Sequence, residues 1–467
     1  MAMPAEDLVL ANGAPSCGTV EKSVCRDSTE NCALGGACMA ASGIMNSAIL
    51  IHGSSGCGWM GRWARSDQAI TNYTPLIATN LLENNIIFGG KDKLANSAEF
   101  VLNAWKPKQL FIMMGCSGSL ISDPIEEISR SLEAKYNTPI MVLDTAGFNG
   151  LSASGADIVF SSVVSRLARP VDKPDPLAVN LIGTFLSGGN NWVYDVDEIK
   201  RLLEAIGLRV NCVLTCGTRR DDIERFNEAR YNLFLTYEEL PSLTYYLQQN
   251  GGEKIGYDLP IPLGVSNTED WLLGVARVFD REENAKQVIK EERKALRQLK
   301  FMYNATWLLN WVATKYAAVV GPATWVSSFA KFLYYDLAIF PQVIAMTGES
   351  RESVVRAKDN LKDLQQYFNP TILENALYVQ ILDTVAASNL EFVFGSTSDK
   401  SLFEGAGLPH LSVVGNQTVL GAFNFVPYPS VGMRGTLYLL SQMGRLLENT
   451  YHEVGKWKSL AYHRRDE

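Results

Sequence analysis

Cysteine is the residue type in this chain best suited to hold inorganic chemistry, and its distribution is uneven. Six of the eight, Cys17, Cys25, Cys32, Cys38, Cys57 and Cys116, fall in the first quarter of the 467 residues; only Cys212 and Cys216 follow. Cys32, Cys57 and Cys116 stand in uncharged surroundings rich in Gly and Ser, separated by 25 and 59 residues. Thiolates are soft ligands that suit iron–sulfur clusters and zinc. Ligands this far apart do not make a ferredoxin-style motif. They fit a cluster held between loops at the ends of separate strands. Such a cluster carries negative charge, which the backbone N–H groups of nearby glycines would stabilise. Three thiolates under-ligate a large cluster, so a partner chain supplying more is implied.

Other readings of the same residues compete. Free Cys is commonly a small buried hydrophobe; Cys212, on an apolar run, and Cys216, near its end, fit that description, and Cys17, Cys25 and Cys38 stay open between packing and a place near the cluster. Structural zinc sites use close pairs, whereas Cys25-x6-Cys32-x5-Cys38 and Cys212-x3-Cys216 are the nearest groupings here. His52 could pair with Cys57 as in a cysteine hydrolase, but a hydrogen-bonded core histidine explains it better. His452 and His463 lie in a charged tail. The Gly-rich run His52–Gly58 lacks a following Gly-Lys-Ser/Thr, Gly89-Gly90-Lys91 leads into Asp92, and no GxGxxG joins a strand to a helix. Neither an ATP nor a dinucleotide site is expected, so any ATP is bound by another protein.

The stretch that must position the first two thiols is Asn31–Gly61, with no Asp, Glu, Lys or Arg in 31 residues although 20% of the chain is charged. Its glycines, serines, Asn46 and His52 leave no 18-residue apolar core, which excludes a membrane span. Backbone packed closely against something buried remains, and small residues permit that approach. The other apolar run, around 316–346, is broken by Pro322, Lys331, Asp336 and Pro341. A net charge of −8 speaks against nucleic acid as a partner. The first 16 residues lack a basic region followed by an apolar one, so no signal peptide is visible. A cytoplasmic protein without disulfides is expected.

Apolar runs and helical patterns alternate along the rest. After residues 1–24, read as a loosely ordered arm, Asn85–Gly90 ends an extended piece and Lys93–Ala104 is a helix. Gln109–Met114 reads as a buried parallel strand, ending at Gly115-Cys116. Asp123-Pro124-Ile-Glu126 starts a helix with Asp as N-cap, and Pro139–Leu143 is the next strand. In such units ligands lie beyond the carboxyl ends of the strands, where Cys116 falls. Strands at Leu177–Ile182, Arg209–Leu214 and Tyr231–Leu235 with helix Val196–Ile206 make a second unit, and a charged helix from about 283 follows. Strands at 316–320, 340–345, 391–394 and 410–414, with helices Ala323–Leu333 and Asp399–Gly405, make a third. The expected fold is α/β, three Rossmann- or flavodoxin-like parallel-sheet domains spanning 25–172, 173–300 and 301–467.

Taken together, Cys32-Ala-Leu-Gly, Ile51-His-Gly-Ser-Ser-Gly-Cys57, Asn85-Ile-Ile-Phe-Gly-Gly90 and Cys116-x6-Asp123 resemble the component 1 proteins of nitrogenase and nitrogenase-like reductases. Gly147-Phe-Asn-Gly150, Gly407-Leu-Pro409 and the region from Gly432 to Arg445 extend the resemblance over nearly the whole chain. It implies an α2β2 assembly in which each αβ pair shares an eight-iron P-type (8Fe-7S) cluster, with Cys32, Cys57 and Cys116 as this chain's ligands. It also implies a separate Fe protein that hydrolyses ATP and delivers electrons. The Cys and His that anchor the larger metal–sulfur cofactor in the family's catalytic subunit are replaced here by Thr236 and Val414. The chain therefore resembles the β-type subunit, with that cofactor in an α-type partner. Gly58-Trp-Met-Gly-Arg62 departs from true nitrogenase, and among nitrogenase-like enzymes the resemblance points to methylthio-alkane reductase. A nitrogenase or dark-operative protochlorophyllide reductase subunit and a cofactor-assembly scaffold are the alternatives. Arg62, Arg65 and Asp67 are candidates for the docking surface.

Overall fold

The computed structural model describes residues 31–64, 74–187, 192–302, 313–396, 403, 410–414 and 428–444. Thirteen strands among them form three sheets, all of whose pairings are parallel. The first sheet contains β1 (Ser47–His52), β2 (Leu76–Ala78), β3 (Gln109–Met114) and β4 (Ile140–Asp144), in the order β2-β1-β3-β4. The second contains β5 (Asp175–Ile182), β6 (Arg209–Leu214), β7 (Ala229–Phe234) and β8 (Glu253–Ile255), in the order β6-β5-β7-β8. The third contains β9 (Tyr316–Pro322), β10 (Phe340–Thr347), β11 (Thr371–Glu374), β12 (Phe392–Ser396) and β13 (His410–Val414), in the order β11-β10-β9-β12-β13. The expected class of three parallel α/β sheets is what the chain adopts. The central strands are apolar runs buried on both faces, β1 along its whole length, as parallel sheets covered by helices require.

The strand order bears directly on the thiols. From β1 the chain crosses to β2 on one side, and from β3 to β4 on the other. Crossovers that leave in opposite directions open a crevice beyond the carboxyl ends of β1 and β3, the usual ligand position in such sheets.

All ten residues of helix Ala33–Ser42 are buried, which explains the missing charge in Asn31–Gly61. This helix crosses helix Ser152–Leu167 with backbones nearly touching. A Cβ on Gly155 would stand 2.7 Å from the backbone nitrogen of Ala37, and one on Gly36 would stand 2.6 Å from the carbonyl carbon of Ser152. One continuous core then runs from this helix pair to Ile182, Leu214, Phe234 and Leu243 of the second sheet's layers.

Buried carboxylates tie the three sheets together in a ring. Asp157 accepts the N–H groups of Ser242 and Leu243, each at 2.8 Å. Glu238 accepts those of Glu349 and Ser350, each at 3.1 Å. Glu349 returns to the first unit by accepting from Leu151 and Ala153 at 2.7 Å and from Ser154 at 3.1 Å. Asp157 and Glu349 satisfy first-turn N–H groups that would otherwise lack partners, whereas Glu238 holds the backbone just before a helix that Ser350 caps. Burial, opposed by its two N–H donors, pushes the Glu238 carboxyl up to about 7. An acid held above its unfolded value is protonated more fully in the folded state, so its stability contribution is complete below about 4.5 and lost as pH rises through about 7. Thermal unfolding should therefore show stability falling by on the order of 2 kcal/mol between pH 5 and pH 7.5, and Glu238→Gln should flatten that slope. An unchanged slope in the variant would assign the pH dependence elsewhere.

Several sequence expectations need correction. Residues Glu83–Phe88 form a short helix, not the end of an extended piece; Gly89 stops it at a φ of 96°. Asp123 does not cap the following helix, which begins at Ile125 with Pro124 at its N-cap and no side-chain cap bond. Its carboxylate turns instead to the N–H of Gly90, at 2.9 and 3.0 Å, and to His52. The helix expected over Ala323–Leu333 is α-helical to Lys331, then widens into a π-turn over Phe332–Asp336. The arm 1–24, Gly407–Pro409, and all of Asp399–Gly405 except Phe403 lie outside the described residues.

Candidate cluster-binding site

The three candidate thiols come from three different loops and meet at one end of the first sheet. Cys57 is the third residue of helix Ser55–Ala64, which follows β1 directly. Cys116 opens helix Cys116–Leu120 immediately after β3, with Gly115 at the N-cap. Cys32 is the N-cap of the buried helix Ala33–Ser42. An isolated antiparallel bridge pairs Cys32 with Leu151, and the Ala33 N–H donates to the Gly150 carbonyl at 2.9 Å. β1 and β3 are neighbours in full register from Ser47↔Gln109 to His52↔Met114, so the loops holding Cys57 and Cys116 emerge side by side.

Two glycines stand between the sulfurs. A Cβ on Gly115 would lie 3.1 Å from the Cys57 Sγ; one on Gly147 would lie 3.3 Å from the Cys116 Sγ and 3.8 Å from that of Cys32. Any side chain there would crowd the space the thiols share. The Gly147 N–H donates to Cys116 Sγ at 3.2 Å and the Ser54 hydroxyl to Cys57 Sγ at 3.6 Å. Cys116 is exposed, and Cys32 and Cys57 are half-buried, so the space opens on the surface.

Among the described residues, no three of His, Cys, Asp or Glu gather closely enough to hold a single metal ion. A multi-iron cluster, in which thiolates bind different irons, does not need them to. The donor set is soft, glycines leave room, and one N–H and one hydroxyl point at sulfur. These residues fit such a cluster.

Large apolar side chains are exposed close in sequence to the thiols and on helix Glu83–Phe88. Leu120 is 75% exposed, Phe88 84% and Ile87 70%, while Trp59 and Phe148 are also largely exposed. Trp59 lies two residues after Cys57, Leu120 four after Cys116, and Phe148 beside Gly147. Large exposed apolar side chains are the kind that interaction sites use.

His52 is not a partner of Cys57. Fully buried at the end of β1, its Nε2 lies 3.0 Å from Asp123 Oδ2 and its Nδ1 3.2 Å from Thr79 Oγ1. Burial lowers its pKa against the opposing pull of Asp123. It braces the β1 end against the Gly90 and Asp123 loops. Gly118 packs so closely on the His52 carbonyl that a Cβ would overlap it, which fixes the Cys116 helix on the same brace.

The remaining described cysteines serve packing. Cys38 is buried with its Sγ 3.7 Å from the Met113 sulfur. Cys212 is buried in β6, and burial drives its thiol pKa up; burial raises that of Cys216 to about 11. Both stay protonated at neutral pH, unlike metal ligands. Thr236, where the resemblance puts a cofactor-anchoring Cys, is buried, and its hydroxyl accepts the N–H of Glu238 at 3.1 Å. Val414 ends β13. Arg62 is exposed, with its Nε donating to the Gly58 carbonyl at 3.2 Å. Cys17, Cys25, Arg65 and Asp67 lie outside the described residues. Sequence reasoning missed the spacing role of Gly115 and Gly147; a glycine directly before a candidate ligand was the available signal.

Comparison with known proteins gives the family and the fold. A nitrogenase molybdenum-iron protein alpha chain of Methanothermococcus thermolithotrophicus is 29% identical over 333 residues, covering 67% of each chain. A nitrogenase iron-molybdenum cofactor biosynthesis protein of Rippkaea orientalis is 27% identical over 57% of this chain and 56% of its own length. One of the subunits of the light-independent protochlorophyllide reductase of Jannaschia is 24% identical over 65% of this chain and 55% of its own length. The chain thus spans little more than half the length of two of these relatives. The solved structure of nitrogenase Cp1 at pH 6.5 superposes with a TM-score of 0.75 over 93% of this chain and 95% of that one at 17% identity, a likeness of fold. The family model for nitrogenase component 1 type oxidoreductases matches residues 32–448. The chain belongs to the nitrogenase component 1 type oxidoreductase family.

Proposed function

We propose that this chain is the β-type subunit of an ATP-driven, nitrogenase-like reductase, holding half of a P-type iron–sulfur cluster through Cys32, Cys57 and Cys116. The observation that carries the reading is the convergence of three thiols from separate loops on one glycine-lined, surface-open space. When bound, such a cluster would store and pass single electrons. The chain's own residues do the rest. Three thiolates hold one side, the N–H of Gly147 and the hydroxyl of Ser54 donate toward sulfur, and Gly115 and Gly147 keep the space clear. Trp59, Leu120, Phe148, Ile87 and Phe88 form an apolar rim for an α-type partner that would complete the ligand set and exclude water. A separate Fe protein would hydrolyse ATP and supply the electrons.

The β-type assignment rests on Thr236, a buried threonine engaged with the backbone where a catalytic subunit would carry a cofactor-anchoring Cys. Because the larger metal–sulfur cofactor would sit in the partner, the substrate would too. Methylthio-alkane reduction, cleaving the C–S bond of small thioethers, is the specific activity we favour over a nitrogenase or protochlorophyllide reductase role. A cofactor-assembly scaffold is the second reading, favoured by the likeness to a cofactor biosynthesis protein.

Iron, acid-labile sulfide and EPR on the anaerobically purified chain with its co-expressed neighbours test the first reading. Stoichiometric iron with a P-type signal is expected; no iron, or zinc in its place, would overturn it. Turnover separates enzyme from scaffold. Reductase activity should require this chain in the assay mixture, whereas a scaffold becomes dispensable once its partner is loaded.

A further inference from the structure

Glu349 belongs to the third unit, yet its carboxylate reaches the loop that borders two of the thiols. It accepts the N–H of Leu151 at 2.7 Å, of Ala153 at 2.7 Å and of Ser154 at 3.1 Å, and it also takes the Ser154 hydroxyl proton in a hydrogen bond. Helix Ser152–Leu167 has Leu151 as N-cap and no side-chain cap of its own, so Glu349 supplies the cap from a distant part of the chain. A helix cap alone would not need the Leu151 N–H, which precedes the helix.

Leu151 is the residue bridged to Cys32, and the neighbouring Gly150 carbonyl accepts the Ala33 N–H at 2.9 Å. At the other end of the same loop, Gly147 donates to Cys116 Sγ at 3.2 Å. Residues 147–154 therefore touch two thiol positions on one side and a single carboxylate on the other. The Glu349 backbone is in turn fixed by Glu238 of the second unit, at 3.1 Å.

We propose that Glu349 is a positioning residue for Cys32 and Cys116, through which the third unit sets where the thiols stand. The inference rests on the cluster-binding reading for its consequence, though not for its geometry. A carboxylate with several N–H donors holds a loop through charge-assisted bonds, about twice as strong as neutral ones. A glutamine of the same shape keeps one acceptor oxygen but turns an amide nitrogen toward N–H groups. Residues that orient ligands from behind govern how tightly a metal group is held and at what potential.

The test uses the full chain with Glu349→Gln, Ser154→Ala as a milder cut of the same contact, and Asp195→Asn as a control. Asp195 is another inter-unit acid, more deeply buried than Glu349 and bonded to Ser430 and Val431, none of them in a thiol loop. In metal-free protein, the rate of maleimide labelling at Cys32, mapped by mass spectrometry against Cys57, should rise roughly tenfold with Glu349→Gln, less with Ser154→Ala, and not at all with Asp195→Asn. In the anaerobic complex, the cluster's EPR signal or midpoint potential should shift in the first two variants only. Unchanged Cys32 labelling in whichever of the two variants folds would overturn the proposal, and so would an equal rise in all three variants. Wild-type protein without iron would instead remove the cluster reading and leave the labelling result to decide the positioning role.

Discussion

With Cys57→Ala and Cys116→Ala combined, iron retained per chain and reductase turnover should both fall by at least about 100-fold. Loss of a residue that merely orients a ligand already costs 10- to 100-fold in metal affinity, and this variant removes two of the three ligands outright. Fold stability of the metal-free chain should hardly change. Cys116 is exposed and Cys57 half-buried, so truncating them opens little cavity, and substitutions away from packed cores usually stay within about 0.5 kcal/mol. The combination of an unchanged unfolding temperature with lost iron is the signature of a ligand. Full activity in the double variant would end the cluster reading; a large fall in the unfolding temperature of the metal-free chain would mean the thiols are packing groups after all.

On the proposed cluster reading, the need for a partner follows from the same geometry. A thiol set that opens on the surface leaves a negatively charged cluster half-solvated unless another surface covers it. The side chains around the opening are the kind that seek cover, from Phe88 to Leu120. Helix Glu83–Phe88 shows this most clearly, since none of its six residues is buried within this chain. Ile86, Ile87 and Phe88 contribute nothing to the chain's own core. Their apolar character makes sense as part of an interface.

That helix also marks a limit on what the sequence shows by itself. Asn-Ile-Ile-Phe is rich in β-branched and aromatic residues, which favour strands, and nothing local signals that it stays uncovered as a helix. The strands were readable because a covered parallel sheet imposes continuous apolar runs: Gln109–Met114, Arg209–Leu214 and His410–Val414 stand where expected. That Cys57 and Cys116 lie just beyond strand ends was readable for a related reason, because apolar runs mark where the strands stop. Asp123 was misread because Asp-Pro-Ile-Glu carries the local pattern of a helix start, while the pull of His52 and Gly90 is tertiary. Glu349 was not readable at all. Gly348-Glu349-Ser350 looks like an ordinary helix approach, and its partners lie 195 or more residues away.

Gly155→Ala should lower the unfolding temperature by about 6–12 °C and strip iron from the site at the same time. In an open helix this substitution would be favourable, because Ala is the better helix former by about 1 kcal/mol. Here the new methyl group would overlap the Ala33 carbonyl and stand 2.7 Å from the Ala37 nitrogen. Both are backbone atoms inside a helix, so no rotamer change can relieve the contact. The two helices must move apart, and helix Ala33–Ser42 has no exposed side on which to retreat, since all ten of its residues are buried. Overpacking typically costs about 1–3 kcal/mol, a contact no rotamer can relieve belongs at the top of that range, and each kcal/mol shifts the midpoint of a domain this large by about 2–4 °C. Cys32 caps the displaced helix and would move with it, which couples the stability loss to the metal site. Gly36→Ala, whose methyl would press on the backbone of Ser152 from the opposite helix, should behave alike. A higher unfolding temperature in either variant would show that the helices do not cross this closely, and Cys32 would then need another anchor.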